Sequence, residues 1–168
     1  MKDEADFSAY AGARWPALVR SAALLGCPVA EAEDLAQATL VRCYREWPRV
    51  RRARDRDAYV YRILLNCYRD SHRRRWWAEK PAGEVPDRPE PDATDEVDTA
   101  DAVARALARL SPANREAVVL RYYAQLGEQQ IADVLRIAPG TVKSRLSRAL
   151  AQLSTDADLA DLNGGSHP

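Results

Sequence analysis

Residues 127–153 read GEQQIADVLRIAPGTVKSRLSRALAQL, and the reading of the fold turns on them. Apolar residues recur here at helical spacing in two short runs, Glu128 to Leu135 and about Gly140 to Leu153. Between them stand Arg136, Ile137, Ala138 and Pro139, a turn of helix-turn-helix length. Ile131, Ala132, Leu135, Val142, Leu146 and Leu150 are spaced to pack the two helices together, with Ala132 small at the point of closest approach. The other side of the second helix carries Thr141, Lys143, Ser144, Arg145, Ser147 and Arg148. Lys and Arg can reach phosphates or the acceptors of guanine, and Ser and Thr can bond backbone or base. Free amides near Gly140 and Thr141 would favour a phosphate at the helix start. An ordinary helical hairpin also carries a solvated basic face, but spacing and residue types together favour DNA binding.

Working outward, Ser111-Pro112 is a helix start: Ser as N-cap, Pro at the first helical position, the helix running to about Tyr123. Asp98 to Leu110 is amphipathic through Val103, Leu107 and Leu110. Upstream, the stretch from Ala78 to about Val97 is acidic, rich in Pro and nearly free of large apolar groups, so it reads as a flexible linker. Farther upstream the helical period returns. A long helix is expected from about Asp57 to Trp77, with Val60, Ile63, Leu64, Cys67 and Tyr68 inward. A second is expected from Ala30 to Trp47, with Leu35, Leu40, Val41 and Tyr44 inward and Pro48 ending it. Phe7 to Leu25 reads as a third, with Pro16 separating a first turn or two from the main helix. The tail after Leu153 reads as frayed.

The chain has 168 residues, 46% of them hydrophobic and 30% charged, which suits one globular domain or two small ones. Net charge is zero, from 25 basic and 25 acidic residues, but the charges are segregated. Residues 51–80 hold ten basic side chains against four acidic, residues 81–98 one against seven, and residues 99–153 eight against four. Two polyanion-binding modules around an acidic spacer would give this pattern; so would solvated helix faces. No run of eighteen apolar residues exists, and the acidic N-terminus lacks the basic and apolar regions of a signal peptide. Cys27, Cys43 and Cys67 form neither a disulfide framework nor a metal-ligand pattern, and a reducing cytoplasm suits them. With two His and no convergent nucleophile, base or oxyanion hole, no catalytic constellation, metal site or cofactor is expected.

Two more stretches bear on function. AEDLAQATLVRCYREW (32–47) carries Glu33, Asp34, Gln37 and Arg45 opposite an apolar side, and by physics alone this is a solvated face. AYVYRILLNCYRDSHRRRWW (58–77) interleaves arginines with Tyr59, Tyr61, Tyr68, Trp76 and Trp77. Arginine neutralises phosphate and aromatic rings stack on unpaired bases, so the combination suits partly melted DNA. Tyr68 is assigned to the core and the Trp76-Trp77 pair to the surface.

These three stretches, in this order around an acidic linker, resemble the extracytoplasmic-function sigma factors of RNA polymerase, above all the actinobacterial type labelled SigE. The resemblance spans roughly Phe7 to Leu153. It implies an all-α chain of two small helical domains: region 2 over residues 5–78, a linker over 79–98, region 4 over 99–153 and a disordered tail over 154–168. It implies a cytoplasmic, nucleoid-associated, non-enzymatic factor. Such a factor binds core polymerase through the coiled coil and flap of its large subunits and directs promoter-specific initiation. Asp34, Leu35, Gln37 and Leu40 then fall on the polymerase-docking pattern. The loop from Arg49 to Asp57 and the helix after it match the part that reads and melts the −10 element and holds a flipped base. Arg62, Asn66, Arg69 and Arg73 are the candidates there. Thr141, Lys143, Ser144, Arg145 and Arg148 are the candidates for the −35 element. An anti-sigma factor is a further implied partner, and the linker would thread the polymerase's positively charged channel. A stand-alone helix-turn-helix regulator is the rival reading. Two positions depart from the pattern. Arg136 stands where the turn usually has Gly, at a cost of about 1 kcal/mol or more if left-handed. Ala38 stands where a carboxylate is common, which removes one expected polymerase contact.

Overall fold

The computed structural model describes residues 2–78 and 95–164, and every regular element among them is helical. In the N-terminal half, α1 spans Lys2–Leu24, α2 Val29–Arg45, α3 Trp47–Arg52 and α4 Arg56–Ala78. In the C-terminal half, α5 spans Asp95–Ala108 and α6 Pro112–Val118; a π-helical turn covers Val119–Tyr123. α7 (Glu128–Leu135), α8 (Pro139–Ser154) and α9 (Ala157–Gly164) complete it. The acidic spacer expected over 79–98 lies outside the described residues as far as 94, and α5 takes up its last positions.

Each half closes on a buried stripe set by the 3.6 period. Val60, Ile63, Leu64, Cys67 and Tyr68 of α4 are buried as their spacing requires, against Leu18 and Ala22 of α1 and Leu35 and Ala36 of α2. Fully burying a side chain such as Leu64 or Leu18 contributes about 1.5–3 kcal/mol. α6 starts where expected, with Ser111 Oγ accepting from the Asn114 N–H at 3.3 Å.

Five expectations need correction. Residues 49–52, expected in a loop after Pro48, belong to α3, because Pro48 sits in the first turn of that helix, where its missing N–H costs nothing. α1 is continuous through Pro16, because Pro16 and Gly12, whose carbonyl loses its donor, both face solvent. In α2 the inward stripe is Ala32, Leu35, Ala36, Thr39 and Cys43, while Val41 and Tyr44 are exposed. Thr39 is admitted to the core because its hydroxyl donates to the Leu35 carbonyl at 2.8 Å. Leu150 is exposed, because Ala149 supplies the inward position of that turn. The tail forms α9 over Ala157–Gly164 instead of fraying. Arg109 draws it onto α5, donating to Asp156 at 2.6 and 2.8 Å and to Asp158 at 2.5 Å. These bonds lower both carboxyl pKa values.

The halves pack on one another. Arg115 of α6 donates to the carbonyls of Leu107 and Ala108, which end α5, to that of Leu110 two residues on, and to the Leu25 carbonyl at 2.9 Å, just beyond the end of α1. Tyr68 donates to the same Leu25 carbonyl at 2.8 Å. Gly26 has φ +114, and a Cβ there would meet the Arg115 guanidinium at 3.0 Å. Its left-handed backbone therefore favours glycine, and a side chain there would also push on the Arg115 guanidinium.

Candidate nucleic-acid and protein interfaces

α7 and α8 form the helix-turn-helix. Ile131, Ala132, Val134 and Leu135 pack on Val142, Leu146 and Ala149, all buried. The turn between them is made at Arg136, at φ 56 and ψ 48, the left-handed conformation expected from its place in the pattern. α8 thereby turns Thr141, Lys143, Ser144, Ser147 and Arg148 to solvent, with Arg145 half-buried beside them. Ser144 Oγ donates to the Gly140 carbonyl at 3.1 Å, and Lys143 lies 3.7 Å from Glu128. The free amide expected at Thr141 is not free, since it donates to the Ala138 carbonyl at 2.9 Å.

α4 carries the other basic face. Arg62, Asn66, Arg69 and Arg73 succeed one another at helical spacing and lie on one side. The C-terminal half engages two of them. Arg69 makes a forked contact with Glu116, 2.8 Å from Nη2 and 3.3 Å from Nε. Glu116 is 7% exposed and faces this arginine alone among the described residues. Arg62 donates to the Asp133 carbonyl at 3.3 Å, and its Nε is buried without a partner. Asn66 is exposed, and Arg73 bonds Asp70 at 2.7 Å.

A further tie joins the starts of α4 and α7. Asp55 caps α4 by accepting from the Ala58 N–H at 2.9 Å. Gln130 caps α7, its Oε1 accepting from the Gly127 N–H at 2.5 Å. The Gln130 amide then donates to Asp55, so two capping side chains are bonded across the halves. Beside Asp55 opens a cavity of about 630 Å³ lined by Tyr10, Arg14, Arg54, Arg56 and Asp57. Arg14 pairs with Asp57, which also accepts from Tyr10 at 2.8 Å. The Arg56 guanidinium lies 5.4 Å from the Tyr10 ring centroid and 5.3 Å from that of Trp47.

On α2, Asp34 and Gln37 are exposed and Leu40 is half-buried, but Leu35, expected on the same surface, is 6% exposed and belongs to the core. Gln37 and Leu40 border a groove of about 370 Å³ together with Phe7 and Trp15 of α1 and Val41 and Tyr44 of α2. Val41 and Tyr44, expected in the core, lie on this exposed surface. Their spacing from Gln37, four and seven residues on, was the signal that they share its face.

The three cysteines are buried, and burial raises their thiol pKa values, Cys43 to about 12. No group of His, Cys, Asp or Glu fit to hold a metal occurs among the described residues. Nor is any described helix long and apolar enough to cross a membrane.

Two small helical modules, one with a helix-turn-helix and one with an arginine-bearing helix, define a DNA-binding regulatory protein. Residues 15–78 match the family model for sigma-70 region 2, and residues 100–153 that for sigma-70 region 4. The RNA polymerase sigma-E factor of Streptomyces avermitilis is 37% identical, over 94% of this chain and 88% of that one. The ECF RNA polymerase sigma factor SigL of Mycobacterium tuberculosis is 36% identical, over 81% and 80%. Among solved structures, the sigma factor RpoE of Bartonella quintana, in complex with the anti-sigma factor NepR, is 26% identical with a TM-score of 0.73. That alignment covers 96% of this chain and 99% of that one. The chain belongs to the extracytoplasmic-function sigma factors of RNA polymerase.

Proposed function

We propose that this sigma factor divides its work between three surfaces. The face of α8 with Thr141, Lys143, Ser144, Arg145 and Arg148 reads the −35 element in the major groove. The face of α4 with Arg62, Asn66, Arg69 and Arg73 reads and opens the −10 element, the cavity beside Asp55 receiving an unpaired base. The groove along α1 and α2, with Asp34, Gln37, Leu40, Val41 and Tyr44, docks on the coiled coil of core polymerase. The observation that carries the reading is the exposed basic face of α8 on a fully buried helix-turn-helix core.

The packed halves give this division an order of events. Arg62 and Arg69 reach DNA only after Asp133 and Glu116 release them, so the halves separate before the −10 element is read. Docking on core polymerase is the step that separates them. A protein inhibitor of the kind bound to the Bartonella quintana factor would act by holding the free chain.

Run-off transcription with purified core polymerase on a library of promoter fragments tests the proposal. Start sites that appear only on adding the protein support it and yield both promoter elements. Tight duplex binding by the free chain, with no such transcripts, would overturn it in favour of a stand-alone regulator.

A further inference from the structure

Several large apolar side chains stay exposed. Trp76 and Trp77 end α4, and Val41 and Tyr44 border the groove on α2. In the C-terminal half Tyr122 is 50% exposed and Leu150 44%. These two line a second apolar groove, of about 220 Å³, with Val103 of α5, Tyr123 and Leu153. The groove follows the π-helical turn Val119–Tyr123, and such turns recur at functional sites. Leu159 of α9 lines it as well.

α9 packs on α5 and α8 at this groove without joining the core. Asp158 and Leu159 are half-buried, and Ala157, Ala160, Asp161 and Leu162 are exposed. Eight residues are too few for a helix to stand alone in water. Charge holds it instead. Arg109 binds Asp156 and Asp158, and Arg105 lies 3.5 Å from Asp158. Among the described residues, neither arginine meets any other carboxylate. Ion pairs as exposed as these hold weakly and are screened by salt. A helix seated in this way is displaceable.

α9 also shows what the groove accepts. It opens with carboxylates that meet two guanidiniums, then sets a leucine against an apolar strip. With α9 withdrawn, the strip and both arginines are open to another helix of that design. None of the −35 candidates on α8 lines the groove.

We infer that α9 is an autoinhibitory strap. In the free chain it occupies the groove; on assembly it gives way to an amphipathic helix of core RNA polymerase that leads with acidic residues. The C-terminal half is thereby kept from gripping polymerase until a competing helix arrives. This control is separate from the contacts between the halves. The inference rests on the reading of the chain as a polymerase subunit.

The test uses the full chain and purified core polymerase. D156N/D158N unlatches α9 by charge, and L159S unseats it by its apolar contact. Each should bind core with an apparent affinity roughly two- to fivefold higher, because the fraction of chain with an open groove rises. A nitroxide on the exposed position of Asp161→Cys reports on α9 itself. The three native thiols are buried and leave the label to that position. The spectrum should be broad in the free chain and narrow in the holoenzyme. Unchanged or lower affinity in both variants would overturn the inference. So would a gain in only one of them; in D156N/D158N alone it would mark the acids as an electrostatic brake on polymerase. A spectrum that assembly leaves broad would overturn it too. If the wild-type chain does not bind core at all, the reading of the whole chain fails first; if it binds and the label stays broad, only the strap fails.

Discussion

α4 and α8 are built alike and stand in different situations. Each lays a buried apolar stripe on its own half and turns Arg and polar side chains outward. On α8 those side chains meet solvent, and among the described residues no ion pair engages Arg145 or Arg148. On α4, Arg69 is held by Glu116 and Arg62 by the Asp133 backbone. The difference does not lie in the helices, whose propensity and pattern are similar. It lies in what the rest of the chain brings against them. A basic helix is a nucleic-acid surface only when its cations are not already neutralised.

Damage to the core beneath α8 should weaken the protein most. Ile131 is fully buried in α7, the element that supports α8 and also packs on α4. Ile131→Ala should cost about 2–5 kcal/mol of stability, seen in chemical denaturation, and −35-dependent transcription should fall with it. Next, Arg148→Ala should cost about 1–3 kcal/mol of promoter binding. If Arg148 reads a base, the loss is confined to one −35 position; if it meets phosphate, all sequences weaken alike and the salt dependence becomes shallower.

Loosening the contacts on α4 should free its arginines. The pair Glu116→Gln and Gln130→Glu keeps side-chain volume, removes the charge facing Arg69 and sets a carboxylate against Asp55. The closed form should lose about 1–2 kcal/mol, read as a larger hydrodynamic radius and faster association with core polymerase. The smallest effect is at the turn. Arg136→Gly should stabilise the fold by about 0.5–1 kcal/mol, raising the thermal midpoint a few degrees, because glycine adopts φ 56 without strain. The thiols give a separate check. With pKa values raised by burial, the three cysteines should resist iodoacetamide at neutral pH until the protein unfolds.

The sequence carried what is local. Ser111-Pro112, the stripe of α4, the buried Tyr68, the exposed tryptophans and the turn at Arg136 all follow from period or residue type over a few positions. α2 misled because it has two apolar stripes, Leu35 to Cys43 and Leu40 to Tyr44, and periodicity does not say which meets a neighbour. Thr39 hid in the true stripe because its polarity is cancelled by a bond to its own helix. α9 escaped notice because its docking depends on Arg109, nearly fifty residues away. The ties between the halves, Arg69 with Glu116 and Arg115 with Leu25, join residues 47 and 90 positions apart. No spacing rule reaches across such separations. As for the site, the exposed face of α8 was legible and the engagement of α4 was not.

The bond between the capping side chains Asp55 and Gln130 has a consequence for how the factor is distributed in a cell. A genome offers about 10⁶–10⁹ non-specific sites, each able to detain a protein with free cations along a helix. While Gln130 holds Asp55, Asp133 holds Arg62 and Glu116 holds Arg69, the free chain shows DNA the face of α8 but only part of the face of α4. It is therefore detained less and remains available to polymerase. On the order of events proposed above, the promoter search then falls to the assembled enzyme, and protein partners more than the bulk of the chromosome set the supply of free factor.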